Sequence, residues 1–343
     1  MTWEVSVVKH LKFLLVVVLI LLMVSFVGAR KYRVALIIAQ GGLGDRSYND
    51  SGFAGLTKAA YDFGVKVKAI ESKDVVAQGE KLLRDAAKAG FDLVITLEYT
   101  HFEPLARVAK DFPKTKFAIL NIKVDAPNVT SVIFKEHEGS FLVGALAALV
   151  TRDTSIPGIN PQKKIGVIGG TKSLGIDKFL VGYEEGAHYI DPEVEVLKAY
   201  SFSFGDPAKG YELAKAMFEQ GADVVYQVAG GTGIGIIKAA KDAGKYAIGV
   251  DSDQDYLAPG HVLCSMLKRV DIAVYDLIKR LVEGKLKGGE VIYYGLKEGG
   301  IDISPMTYTR HIIPKEYIEK IKELKEKIIK GEIVVTDITQ QSK

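Results

Sequence analysis

Short β-branched runs recur along the chain: "RVALIIA", "KVKAIES", "DLVITLE", "FAILNI", "KIGVIGG", "DVVYQVAG" and "YAIGVD". Between them lie segments with apolar residues at helical spacing, among them "SGFAGLTKAAYDFG", "VVAQGEKLLRDAAKAG", "GYELAKAMFEQG" and "IGIIKAAKDAG". Strands that are apolar almost throughout, alternating with amphipathic helices, predict βαβ units and parallel sheets covered on both faces. The two halves echo each other. "EKLLRDAAKAGFDLVITLEYT" and "ELAKAMFEQGADVVYQVAGGT" share a helix, a glycine at its end, an aspartate and a buried strand, which is a helix C-cap leading into a sheet, used twice. The tail "EYIEKIKELKEKIIKGEIVVTD" reads as an amphipathic helix and a final strand.

The amino terminus breaks this pattern. Lys9, His10 and Lys12 precede about 17 uncharged residues, with small Val27 and Ala29 before Arg30. That is the layout of a secretory signal, and a run of this length is also near the lower limit for a membrane span. A cleaved signal and a retained anchor both fit, and both place the body outside the cytoplasm, tethered to the outer face of the cell membrane if the segment stays. Residues 1–29 are assigned to this segment.

The chain of 343 residues is long enough for two lobes besides this segment, and no low-complexity linker separates them. Lys plus Arg number 45 against 42 for Asp plus Glu. With the charges interspersed there is no nucleic-acid footprint. The single cysteine, Cys264, lies in the apolar run "HVLCSML" and reads as a small core residue.

Catalytic templates lack their parts. The histidines at 10, 101, 137, 188, 261 and 311 are scattered, with no H-E-x-x-H, no cysteine pair and no G-x-S-x-G elbow. The carboxylates of "VDSDQD" are a weak candidate for metal or acid/base chemistry. In "AGGTGIGIIKAA" the glycines at 230, 231, 233 and 235 form neither a dinucleotide fingerprint nor a P-loop; they suit a tight turn, or backbone N–H groups offered to a neutral polar ligand. A non-enzymatic binding protein without cofactor or metal is the expectation.

In open α/β sheets ligands sit beyond the carboxyl ends of the strands. The polar segments there are "GGLGDRSYND", "LEYTHFEP", "YSFSFGD", "VAGGTG" and "VDSDQD". Carboxylates that accept from sugar hydroxyls, amides that pair with a base edge and rings that cover a planar base would suit a flat, hydroxylated ligand. Each residue has a plainer reading: Asp45 and Asn49 as turn residues or caps, Phe204 as core.

"GDRSYNDSGFAGL", "APNVTSVIFKEHEGSFLVGALAAL", "YSFSFGDPAKGYELA", "DVVYQVAGGTGIG", "YAIGVDSDQ" and "VLCSMLKRVDIAVYDLI" together resemble the basic membrane protein family, in the same order along nearly the whole body. Members are substrate-binding components of ABC transporters, with purine nucleoside receptors as the best-understood branch. The resemblance implies a two-lobed periplasmic-binding-protein fold of the ribose-binding type, two doubly wound parallel sheets joined by three crossovers, with the N-lobe formed by residues 30–136 plus 253–284 and the C-lobe by 137–252 plus 285–343. It implies a nucleoside in the interlobe cleft, a membrane permease and an ATPase as partners, and a monomeric receptor. It places Asp45 and Asn49 in the family's D-x-S-F-N motif, with Tyr48 replacing its usual Phe. Phe204 stands at the base-stacking position, Gly230 under the ligand, Asp251 at the carboxylate for ribose hydroxyls, Lys268 at the cation meeting the sugar from the crossover, and Asn121 where the family often has Asp. The lipobox cysteine common in bacterial members is missing from "SFVGARKY". Alternatives are a receptor for a sugar or other small polar solute, a sensing domain for a membrane signalling partner, and a nucleoside-hydrolysing enzyme.

Overall fold

Each apolar run becomes a parallel strand. The structure, a computed structural model, describes residues 31–340; the expected signal or anchor, residues 1–29, lies outside them. From Arg33 on, the chain forms one unit. Its first half runs β1 (Arg33–Ile37), α1 (Tyr48–Phe63), β2 (Lys66–Ile70), α2 (Gly79–Lys88), β3 (Leu93–Thr96), α3 (Phe102–Asp111), β4 (Lys116–Leu120) and β5 (Val129–Phe134). The helix α4 (Glu136–Thr151) then carries the chain to the second lobe. There β6 (Lys164–Gly169), α5 (Leu174–Ile190), β7 (Glu195–Tyr200), α6 (Pro207–Glu219), β8 (Ala222–Val228), α7 (Gly233–Asp242), β9 (Tyr246–Asp251) and β10 (Val262–Lys268) repeat the scheme. The chain closes with α8 (Val270–Val282), β11 (Val291–Tyr294), β12 (Ile301–Ile303) and α9 (Lys315–Ile329).

The first sheet has the order β11-β5-β4-β3-β1-β2 and the second β12-β10-β9-β8-β6-β7. All pairings are parallel except β10 with β12. The order reverses between β1 and β3, and again between β6 and β8, so each lobe carries a switch point where its strand ends diverge and leave a crevice. The sequence echo has a structural basis: Gly90 after α2 and Gly221 after α6 take φ of 75° and 94°, the left-handed conformation that stops a helix at no steric cost. Val94, Phe117 and Ile119 pack one core; Ile168, Val225 and Ala247 pack the other.

Two boundaries differ from expectation. Val262–Lys268, expected in the N-lobe, pairs with β9 and belongs to the second sheet. Val291–Tyr294, expected in the C-lobe, pairs with β5 and belongs to the first. Edge pairing decides this: β10 extends the order of the second sheet as β5 extends the first, and only then does α8 return to pack on α1. The chain therefore crosses between sheets three times, after β5, after β10 and after β11. The tail is corrected as well. "IVVT" pairs with no strand; Val335 is buried, and Thr336 N donates to Glu185 Oε2 at 2.9 Å, holding the segment against α5. Among the described residues no helix is long and apolar enough to cross a membrane.

Candidate functional site between the two sheets

The loop between β1 and α1 is built around two side chains. Asp45 accepts three backbone N–H groups, those of Ser47 (2.9 Å), Asn49 (2.9 Å) and Asp50 (3.1 Å). It thus satisfies donors that the first turn of α1 leaves open. Burial pushes its carboxyl above the ordinary range, opposed by those same N–H groups. Asn49 Oδ1 accepts from Ala39 N at 2.9 Å, and its Nδ2 donates to Gln40 O at 3.2 Å, which pins the loop to the end of β1. The polar cluster "GDRSYND" is first of all a capping device.

The same loop crosses the cleft. Ser47, fully buried, donates through Oγ to Asp251 Oδ2 at 2.5 Å. Gln254 Nε2 donates to Arg46 O at 3.0 Å, and Ser252 Oγ to Ser47 O at 3.3 Å. Asp251 ends β9 with φ of 65°, so the strand turns sharply there. Burial pushes its carboxyl up to about 6, with Lys268 and Ser47 opposing.

Phe204 is held by its backbone. Its carbonyl accepts from Thr232 N at 3.3 Å, and Thr232 Oγ1 bonds Ser203 O (3.0 Å) and Asp206 N (2.9 Å). The ring lies over Gly170, where any Cβ would come within 2.2 Å of it. Gly230, with φ of 54°, sits beside the Phe204 carbonyl.

A buried charge cluster closes the cleft at the crossovers. Glu136, the first residue of α4, lies 2.5 Å from Lys178 Nζ and 2.7 Å from Lys268 Nζ. Burial alone would raise its carboxyl, but the two ammonium groups win and hold it at about 2. Lys178 also donates to Phe134 O at 2.8 Å. The Lys268 ammonium faces the rings of Tyr48 and Phe134 at 5.0 Å each and Phe179 at 5.6 Å, an arrangement that stabilises a cation with few water contacts. Tyr48 Oη donates to Leu97 O at 3.0 Å and accepts from Asn121 Nδ2 at 2.8 Å.

These elements enclose a cavity of about 510 Å³ lined by all eight residues singled out from sequence, namely Asp45, Tyr48, Asn49, Asn121, Phe204, Gly230, Asp251 and Lys268. Its volume lies within the ~300–1,000 Å³ of small-molecule sites. Glu136, Lys178 and Glu98 also line it and were missed. For Glu136 a signal existed: it opens a helix that is apolar all round, so a charge there must be buried and needs a partner. Lys178 sits in an ordinary amphipathic helix and gives no such sign. Thr339 and Gln340 reach the cavity too. Of the other two carboxylates of the "VDSDQD" segment, Asp253 accepts from Asp255 N at 3.0 Å, and Asp255 is turned away into the second lobe, where Ser265 and Ser304 donate to it. Among the described residues no group of His, Cys, Asp and Glu could hold a metal ion.

Comparison with known proteins bears on this geometry. Residues 32–339 match the family described as ABC transporter substrate-binding protein, PnrA-like. An ABC transporter nucleoside-binding protein of Lactococcus lactis is 32% identical, with 88% of each chain covered. An uncharacterized lipoprotein of Pyrococcus abyssi is also 32% identical, over 88% of this chain and 79% of its own. The crystal structure of a solute-binding protein of an ABC transporter system from Aeropyrum pernix superposes with a TM-score of 0.81 at 31% identity, over 89% of this chain and 94% of that one. With its two switch-point sheets, the cavity between them and this likeness along nearly its whole length, the chain belongs to the PnrA-like family of ABC transporter substrate-binding proteins.

Proposed function

We propose that the protein is the extracytoplasmic receptor of an importer, closes its lobes on a purine nucleoside and hands it unchanged to a membrane permease driven by an ATPase. The observation that carries this reading is the composition of the cavity wall. An aromatic ring (Phe204), a carboxylate at a strand end (Asp251) and a caged ammonium (Lys268) line one cavity of about 510 Å³. A sugar alone would leave Phe204 and Tyr48 without a flat partner, and a base alone would leave Asp251 with no hydroxyl donor beyond Ser47. Asp251 accepts from ribose hydroxyls through the oxygen that Ser47 leaves free. Lys268 meets the sugar from its crossover, Phe204 covers the base, and Gly230 allows close approach. Asp45 and Asn49 shape the wall, since their polar atoms serve mainly the backbone. The nucleoside named for the Lactococcus lactis relative supports the same ligand class, and the lipoprotein relative supports a receptor tethered at the outer membrane face of the cell.

The test is mass spectrometry of small molecules released from denatured purified protein, followed by calorimetry with inosine, guanosine, adenosine and ribose. A nucleoside should be recovered intact and bind at least about a hundredfold more tightly than ribose, since ribose has no ring to stack. Tight binding of free sugars only would return the sugar receptor; free base and ribose appearing in proportion to protein would make it a hydrolase.

A further inference from the structure

We propose that residues 335–340 form a strap that narrows the mouth of the cavity, so that ligand enters and leaves past Thr339 and Gln340. The proposal rests on the nucleoside reading above and adds to it what sets the rate of exchange.

The strap begins where the last helix ends. With Ile321, Leu324 and Ile328 buried, α9 packs against α4, and Gly331, at φ of 75°, stops it in the left-handed conformation. The segment beyond is extended but well fastened. Val335 is only 5% exposed. Glu185 of α5 takes both donors of Thr336, the backbone N at 2.9 Å and Oγ1 at 3.3 Å. Asp337 comes near enough to the buried His137 of α4 to oppose the fall in its pKa that burial and Lys178 cause. The Asp337 carboxylate accepts from Thr339 N at 3.0 Å and Thr339 Oγ1 at 2.6 Å, and its carbonyl accepts from Gln340 N at 3.1 Å. A turn fixed in this way delivers Thr339 and Gln340 to the cavity wall.

Exposure shows that this part of the wall is the rim. Asp251 and Lys268 are 7% and 3% exposed, whereas Leu174 and Tyr293, which line the same cavity, are 52% and 47% exposed, and Gln340 is exposed as well. A lining residue that also meets solvent stands at an opening. Leu174 starts α5 of the second lobe and Tyr293 lies on β11 of the first sheet, so the opening lies between the lobes and the strap reaches it from α4 and α5.

An obstruction at an opening differs from a ligand contact in its kinetics. It slows entry and exit alike, so removing it raises both rates and leaves Kd nearly unchanged. Losing a contact to bound ligand raises the exit rate and weakens Kd in proportion. Thr339 is ill suited to the second role, because its hydroxyl gives its one proton to Asp337.

The experiment uses whichever of inosine, guanosine and adenosine binds most tightly, with exchange rates followed by chasing labelled nucleoside and Kd measured by calorimetry. Three variants are compared with wild type. One chain ends at Glu332; Glu185→Ala removes an anchor and keeps the segment; Thr339→Gly combined with Gln340→Gly trims the tip and keeps the anchors. Association and dissociation should both quicken by at least about fivefold in the shortened and the trimmed chains, with Kd changing by less than about threefold. Glu185→Ala should move both rates in the same direction. Should the shortened chain fail to fold without buried Val335, the trimmed variant decides. Unchanged rates in the trimmed variant overturn this proposal alone, as does faster dissociation with unchanged association. If none of the nucleosides binds to wild-type protein, the nucleoside reading itself falls, and this proposal with it.

Discussion

Single residues carry the chemistry here because burial changes what each can do. Asp251 is the clearest case. Its carboxyl, pushed up to about 6 by burial and by the nearby Asp45 and Glu136 and held back by Lys268 and Ser47, is only partly ionised just below neutral pH. A folded-state value above the ordinary 3.8 favours the fold fully below that value, and the contribution is lost as pH rises through about 6. Hydroxyl donors from a ligand reverse the preference, because they stabilise the carboxylate. Nucleoside affinity should therefore be full above about pH 7 and fall as pH drops through about 6, by up to roughly tenfold per unit. Asp251→Asn should flatten the profile, and calorimetry from pH 5 to 7.5 checks both. Affinity is the right readout, since Asp255 is also raised to about 6 and would blur a stability measurement. Glu136, held at about 2, stays charged throughout. A persistent slope in the asparagine variant would assign the titration elsewhere.

At the scale of elements, glycines set how closely helices approach. In the pair α4 and α5, a Cβ on Gly144 would fall 2.0 Å from Tyr183 O, and one on Gly186 would fall 1.9 Å from Phe141 O. Each helix thus offers a glycine to the other's backbone. Gly55 on α1 does the same against Asp271 O of α8, at 2.2 Å. Since α4 also positions Glu136, this packing reaches the cavity. Gly144→Ala should destabilise the protein by about 1–3 kcal/mol or more, because a backbone must move. Gly175→Ala, in the same pair of helices but with open space around it, should be neutral or stabilise by up to about 1 kcal/mol. Urea denaturation of the two variants distinguishes them; equal effects would mean that propensity and not contact governs.

For the whole molecule, the lobes are joined at the cleft by the protein's own groups: Ser47 with Asp251, Gln254 with Arg46, Ser252 with Ser47. These bonds bridge the lobes, so they exist only when the lobes meet. In the proposed receptor a ligand would add to them by touching both sides, and that difference between open and closed states would drive closure. X-ray scattering should show a smaller radius of gyration on saturation with a purine nucleoside. Ser47→Ala should weaken affinity by roughly five- to tenfold while the folded core remains intact. Unchanged dimensions on binding would remove the hinge from the mechanism.

Much of this molecule was legible from local pattern. The apolar runs and helical spacings named the strands and helices, because periodicity is decided by neighbours within one or two turns. Strand ends could be read as the cavity wall from the rule for open α/β sheets, and the eight residues chosen from those ends and from the family resemblance all line the cavity. Tertiary structure alone decided the rest. Whether β10 and β11 joined one sheet or the other depended on edges formed by strands far away in the chain. That Lys178 finds Glu136, and that Tyr48 and Asn121, two separate departures from the family pattern, are bonded to each other across 73 positions follow from long-range packing, whereas the backbone bonds of Asp45 and Asn49 are local and fit the turn or cap reading of the sequence. A sequence records which groups can donate, accept or carry charge; which partner each one meets is determined only when the sheets close.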